Sequence, residues 1–405
     1  MTAKQGGALA AEALIERKIP FVFTLSGGHI TPIYQYLEHS QVRIMDTRHE
    51  QAAVFMAEAW ARMTRGPAVA MVTAGPGFTN SLSAVANARF SNAPVVLIAG
   101  CVGIESIEKL DLQDMRQAPV VEPMVKKALV CHKPERIPEF IDMAFRTAAA
   151  GRPGPVYLEL PVDVLNATVP EASVHKTHTL PACRPVDLEK ARQALNLLRS
   201  CRRPILIAGS GVWYADASSE LVPFVEKTGI PVFTVGMGRG AVSDLHPLCF
   251  ESSLGIRPGA ALHASMNADL VLILGNRVTL YYIFGEVFNR GARIIQVDIE
   301  PEEIGRNRTV DLPIFSDVRA FLSACNRILH EEPLQGLSPD LFSPWVSELR
   351  KAREQGRAAV RAQWESPEVP IHPLRLAREV DLFMDREDDI VVADGGDTQI
   401  WMGMT

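Results

Sequence analysis

The sequence predicts an α/β protein built from two doubly wound parallel-sheet domains and the start of a third. Three observations carry that expectation. Short apolar strands alternate with helical patterns from the amino end to about residue 165, and such alternation folds into a mostly parallel sheet with helices on both faces. A proline-containing stretch with little apolar periodicity interrupts the pattern, which then resumes. After a charged helical stretch, one more helix and strand begin near residue 372.

Each element follows from local chemistry. Phe21–Thr24 is a short apolar strand that runs into Ser26-Gly27-Gly28, and Val42–Met45, Ala68–Val72 and Pro94–Ala99 are three more. Helical patterns over Ala8–Arg17, Glu50–Arg62 and Thr79–Phe90 lie between them. Gly154–Pro161 closes the region as a strand bounded by prolines. These elements make residues 1–165 a first domain. Pro170 and Pro181 mark 166–184 as a linker, just ahead of Pro185. Pro204–Ala208, Ile230–Thr234, Leu270–Leu274 and Ile294–Val297 are the strands of a second domain over 185–325, with a helix reaching about Lys227. Residues 326–371, including the charged stretch Pro344–Ser366, read as a helical linker. His372 to about Met384 is a helix, Ile390–Ala393 a strand, and Asp394–Gln399 the loop after it. One strand and two helices bury too little to stand alone, so 372–405 is expected to be the beginning of a domain whose remainder is absent.

Composition excludes several classes. A chain of 405 residues suggests two or three domains, and an apolar fraction of 47% suffices for ordinary cores. A net charge of −6 with no basic stripe argues against a nucleic-acid partner. The six cysteines are scattered without a Cys-x-x-Cys pair, as expected of reduced thiols in a cytoplasmic protein. Lys4, Glu12, Glu16 and Arg17 speak against a signal peptide. The sequence has no charge-free apolar run of the roughly 18 residues that a membrane helix needs.

Two short motifs carry the chemistry. Asp46-Thr47-Arg48-His49-Glu50 places one carboxyl group at a helix start. Val72-Thr73-Ala74-Gly75-Pro76-Gly77-Phe78-Thr79-Asn80 is a strand followed by a Gly-Pro-Gly turn, whose backbone a flat ligand can approach closely. The turn is not a dinucleotide fingerprint, because the third glycine of G-x-G-x-x-G would fall on Asn80; Gly209-Ser210-Gly211 fails likewise at Tyr214. His29 follows the first strand, where open α/β sheets hold ligands, and a neutral imidazole there can move protons on a substrate hydroxyl. Gln113 can hydrogen-bond a substrate oxygen. The adjacent His49 is expected to point away from the site, since neighbouring helical residues do not share a face. No His, Cys and Asp cluster has metal-ligand spacing.

On these motifs nearly the whole chain resembles the thiamine-diphosphate-dependent decarboxylase and carboligase superfamily, which includes acetolactate synthase, benzaldehyde lyase and 2-hydroxyacyl-CoA lyase. Gln296-Val297-Asp298-Ile299 followed by Glu303-Ile304-Gly305 fits as well. The resemblance implies the thiamine-diphosphate-binding fold, with pyrimidine-binding, central and diphosphate-binding domains corresponding to 1–165, 185–325 and the start at 372–405. It implies that Glu50 shares a hydrogen with the aminopyrimidine ring and so activates the cofactor, which itself supplies the difficult chemistry. Thr73, Gly75, Pro76, Gly77 and Asn80 would line the cofactor, and Gly396, Asp397 and Thr398 match the first diphosphate-side loop. Gly28, His29, Phe78 and Gln113 would face substrate. Active sites in this family are shared across a homodimer or homotetramer.

Two departures refine the expectation. Acetolactate synthases proper lack a histidine at the place of His29, so Ser26-Gly27-Gly28-His29 leans towards a lyase or carboligase acting on 2-hydroxy ketones, 2-keto acids or 2-hydroxyacyl thioesters. Arg277–Gly285 resembles the CoA-binding members. The family's Gly-Asp-Gly…Asn motif, which holds Mg²⁺ against the diphosphate, does not occur here, and the fragment alone is expected to be inactive. Acetolactate synthase proper, a catalytically inactive dimerising or regulatory module, and a split enzyme are the alternatives.

Overall fold

The computed structural model describes residues 3–174, 183–250, 259–332, 336–386, 388–393 and 395–403. The chain divides into two compact units, Met1–Cys183 and Arg184–Thr405.

The first unit is a six-stranded sheet in the order β3-β2-β4-β5-β7-β6. Its strands are β2 (Phe21–Thr24), β3 (Arg43–Asp46), β4 (Ala68–Val72), β5 (Val95–Cys101), β6 (Lys127–Val130) and β7 (Val156–Pro161), and every pairing is parallel. Side chains alternate between the two faces with the period of a strand. Val69 and Met71 join one core with α1 (Gly6–Glu16), α2 (Thr31–Leu37) and α6 (Ile137–Ala149). Ala68, Ala70 and Val72 join the other with α3 (Glu50–Thr64), α4 (Pro76–Ser91) and α5 (Gln117–Val121). The small residues Ala53, Ala57 and Ala61 bring α3 close to the sheet. β1 (Ala3–Gln5) pairs antiparallel with β8 (Thr168–Pro170), which follows the short α7 (Val162–Asn166). Thr168–Pro170 of the expected linker are therefore a paired strand of this unit.

The second unit contains a five-stranded parallel sheet in the order β10-β9-β11-β12-β13. These are β9 (Pro204–Ala208), β10 (Val232–Thr234), β11 (Leu270–Leu274), β12 (Arg293–Asp298) and β13 (Leu312–Phe315). Helices α8 (Leu188–Ser200), α9 (Ser210–Tyr214), α10 (Ser218–Thr228) and α12 (Val318–Glu331) pack on one face. α11 (Ala260–Asn267) and the long α13 (Ser343–Trp364) pack on the other. Trp345 of α13 is buried and donates from Nε1 to the Pro204 carbonyl at 3.0 Å. The stretch expected as a linker thus supplies core to this unit.

α14 (Pro373–Phe383) and α15 (Asp397–Met402) follow. The strand expected at Ile390–Ala393 does not form: these residues have no regular structure, and Ile390 and Val392 are exposed. A lone apolar run has no neighbour to pair with. Asp394 lies outside the described residues. Among the described residues no helix is long and apolar enough to cross a membrane.

Candidate functional site

The first sheet reverses its winding at β2. From this strand the chain goes outward to β3 and then to the other side at β4. The crevice at the carboxyl ends of β2 and β4 is such a switch point, where open α/β sheets hold ligands. The loop after β2 carries Ser26 to His29, and the turn after β4 carries Thr73 to Gly77.

Glu50 reaches this crevice from the edge strand. Thr47 is buried, and its hydroxyl donates to the carbonyls of Thr24 on β2 and of His49, at 3.1 and 3.0 Å. His49 caps α3 by accepting from the Gln51 amide at 3.2 Å, and it is exposed. It stands outside the helix as its cap residue, so the rule for neighbouring helical residues does not apply to it, and its ring starts the helix. Arg48 and Asp46 form only a surface pair at 3.6 Å, of little energetic weight. Glu50 follows directly and is buried, with 7% of its surface exposed. Its Oε2 accepts from Asn80 Nδ2 at 3.0 Å.

The Gly75-Pro76-Gly77 turn supplies the opposite wall. Gly75 has φ +60°, a conformation that glycine adopts without steric cost. Pro76 opens α4, where a missing N–H costs nothing. A Cβ on Gly77 would stand 2.7 Å from Thr73 Cγ2 and 3.4 Å from Glu50 Oε1. The bare backbone there keeps the face of Glu50 clear. Thr73 is the shared neighbour: its methyl lies against Gly77, and its Oγ1 is 3.1 Å from His29 Nδ1. His29 is half-buried, and burial holds its imidazole below the ordinary value of 6.5, against the opposing pull of the Asp111 carboxylate and the Leu112 backbone. An imidazole held below that value is neutral near pH 7. Gln113 packs beside the turn, 2.8 Å from where a Cβ on Gly75 would be.

The structure thus brings Glu50, Thr73, Gly75, Pro76, Gly77, Asn80, His29 and Gln113 into one crevice, with Gly28 exposed beside His29. Phe78 differs from the expectation of a substrate contact. It is fully buried, edge-on to Tyr157 at 5.4 Å between ring centroids, and serves the core. Its position in the first turn of α4 turns it inward, a direction that the motif by itself does not reveal. Gly396, Asp397 and Thr398 lie in the second unit, exposed, at the start of α15. Among the described residues no group of three or more His, Cys, Asp or Glu is placed to hold a metal ion. Burial pushes the Cys131 and Cys249 thiols up to about 11, which leaves them protonated and inert.

Sequence reasoning missed Gln117. Its side chain is buried; Oε1 accepts from the Gly75 amide at 2.8 Å, and Nε2 donates to Gly100 O and Tyr157 Oη, each at 3.0 Å.

The donor set suits the pyrimidine half of thiamine diphosphate: a buried carboxyl group, a wall opened by the glycines at 75 and 77, and a neutral imidazole alongside. Residues 4–120 match the family model for the thiamine pyrophosphate enzyme N-terminal TPP binding domain, and 191–325 match the model for the central domain. The chain is 31% identical over 414 residues to the probable acetolactate synthase large subunit of Methanococcus aeolicus, covering 98% of this chain and 68% of that one. It is 32% identical over 399 residues to an acetolactate synthase large subunit of Mycobacterium tuberculosis, covering 98% and 70%. It is 28% identical over 399 residues to the oxalyl-CoA decarboxylase of Escherichia coli, covering 96% and 68%.

Proposed function

We propose, since this chain belongs to the thiamine pyrophosphate enzyme family and is acetolactate synthase-like, that it acts as a carbon–carbon lyase or carboligase on 2-hydroxy ketones, 2-keto acids or 2-hydroxyacyl thioesters. The observation that carries this reading is the buried Glu50, bonded to Asn80 and facing the glycines of the turn, with the neutral His29 held on Thr73. Thiamine diphosphate, when bound, supplies the carbon that makes and breaks bonds next to a carbonyl. Glu50 would hold the pyrimidine ring and share a hydrogen with its nitrogen. Asn80 orients that carboxyl group through Oε2. The Thr73–Gly77 backbone keeps other side chains from the ring. His29 would take and return the proton of the substrate hydroxyl, and Gln113 would steady the substrate oxygen.

Mg²⁺ and the diphosphate contacts of Gly396, Asp397 and Thr398 belong to the same proposal, as do a cytoplasmic setting and the reading of 372–405 as the start of a diphosphate-binding domain. A second copy of the chain is the expected partner. The exposed Phe55, Met56 and Met63 of α3 and Phe90 of α4 give this helix pair an apolar surface suited to one.

Acetolactate synthase proper is the second reading, favoured by the names of two of the relatives. Assay against benzoin-type ketones, pyruvate and acyl-CoA donors separates the two. Cleavage of 2-hydroxy ketones or 2-hydroxyacyl thioesters supports the first reading, and acetolactate formation from pyruvate without either cleavage supports the second.

A further inference from the structure

We infer that Gln117 is a positioning residue for the candidate site: its buried amide clamps the Gly75 turn to the strand ends beneath it, and so holds Glu50, His29 and Gln113 in register. The inference rests on the function proposed above for what is positioned, and on the chain's own hydrogen bonds for how.

Gly75 is the cap residue of α4, and no side chain of its own turn caps that helix. Its amide belongs to the first turn, where helix geometry offers no partner. Gln117 supplies the missing acceptor from 42 residues away, at 2.8 Å. The same side chain donates to the Gly100 carbonyl near the end of β5 and to Tyr157 on β7, with Glu159 Oε2 at 3.3 Å. Tyr157 in turn donates to Glu159 at 2.6 Å. One amide therefore ties the turn after β4 to β5 and β7. It is 1% exposed, so water does not compete for these bonds.

The tied elements are those that carry the chemistry. A Cβ on Gly100 would lie 2.5 Å from His29 Cβ, so Gly100 is the shelf on which His29 rests. Gly75 supports Gln113 in the same way, and Gly77 lies between Thr73 and Glu50. Gln113 itself has φ +65°, a left-handed conformation, and sits one short loop ahead of the helix that Gln117 begins. Without the amide, the Gly75 N–H and the Gly100 carbonyl lose their bonds to Gln117 in a buried place, a cost that repacking relieves only by moving the turn. A displacement of about 1 Å at a reacting group can cost about a hundredfold in rate.

The test compares Gln117→Met with Tyr157→Phe in the full chain. Methionine fills the same volume but neither accepts from Gly75 nor donates to Gly100. Tyr157→Phe removes a hydroxyl from the same buried network and leaves the Gly75 bond in place. Both variants are expected to melt a few degrees lower. Only Gln117→Met is expected to lose kcat per folded site, by about tenfold or more, with KM within about twofold. Only Gln117→Met is expected to speed hydrogen exchange at the Gly75 amide, by about tenfold or more. Equal kcat losses in the two variants, or an unchanged kcat per folded site in Gln117→Met, overturn the inference. Should Gln117→Met not fold, exchange in the unaltered protein decides. Protection of the Gly75 amide comparable to that within β4 supports the clamp, and exchange at the rate of an exposed amide overturns it. Failure of the unaltered protein to bind thiamine diphosphate overturns the proposed function alone, and the exchange contrast then judges the clamp by itself.

Discussion

The two sheets follow one plan and end differently. Both are parallel, both are covered on two faces, and both have a reversal of winding at an inner strand, at β2 in the first unit and β9 in the second. At the first reversal the carboxyl edge presents side chains with chemistry: His29 on Thr73, and Glu50 on Asn80. At the second, backbone meets backbone. A Cβ on Gly211 would lie 2.6 Å from Gly275 Cα, and the Gly211 amide donates to the Gly275 carbonyl at 2.9 Å. Topology therefore decides where a crevice forms, while the residues just past the strand ends decide whether it stays lined with polar side chains or is packed shut.

Substitution at each reversal tests this contrast, and the largest effect belongs to Glu50. Glu50→Ala should lower turnover by about 10²–10⁴-fold, the range of a lost general acid–base group, with little change in melting temperature. Near-normal turnover with added cofactor would remove Glu50 from the chemistry. His29→Ala should slow carbon–carbon cleavage by about 10²-fold, the low end of that range, while the cofactor's Kd stays nearly constant. A large loss of cofactor affinity in a titration would instead make His29 a structural residue.

Gly211→Ala should act on stability, because its Cβ meets backbone that cannot swing aside. The expected loss is about 1–3 kcal/mol, read from urea midpoints, with turnover per folded molecule unchanged. The reverse pattern, intact stability with lost turnover, would erase the distinction between the two edges.

The smallest effect concerns pH. Burial keeps the folded-state value for His29 below 6.5. As pH falls below 6.5 the unfolded chain takes up this proton before the folded chain does, so stability contributed at His29 is full above 6.5 and declines beneath it. Urea midpoints of the unaltered protein should fall more steeply below that pH than those of His29→Ala. Parallel curves would mean that the imidazole titrates alike in both states.

The buried strands were the most legible elements. Phe21–Thr24, Ala68–Val72, Pro204–Ala208 and Leu270–Leu274 appear with the bounds their apolar runs predict, because a strand covered on both faces needs no polar alternation. β6 and β13 escaped notice for the opposite reason. Each is four residues long and lies at a sheet edge, and Lys127 in one and Pro313 in the other blur the pattern. Ile390–Ala393 has the composition of a strand but no partner to complete it. At the site, Glu50 and the Gly-Pro-Gly turn were legible because their chemistry is local: a carboxyl group at a helix start, a backbone without side chains. Gln117 was not, since its meaning depends on a carbonyl at position 100 and an amide at position 75.

The order of residues alone determined the α/β alternation, the helix that begins at Glu50 and the bare turn at Gly75-Pro76-Gly77, because apolar runs, capping groups and glycine act over a few neighbouring positions. Only the tertiary structure decided that Glu50 meets Asn80, that His29 rests on Thr73 and that Phe78 faces the core. Those outcomes depend on strand order, which brings the ends of β2 and β4 together, and on burial, which strips water from groups that local sequence would leave solvated.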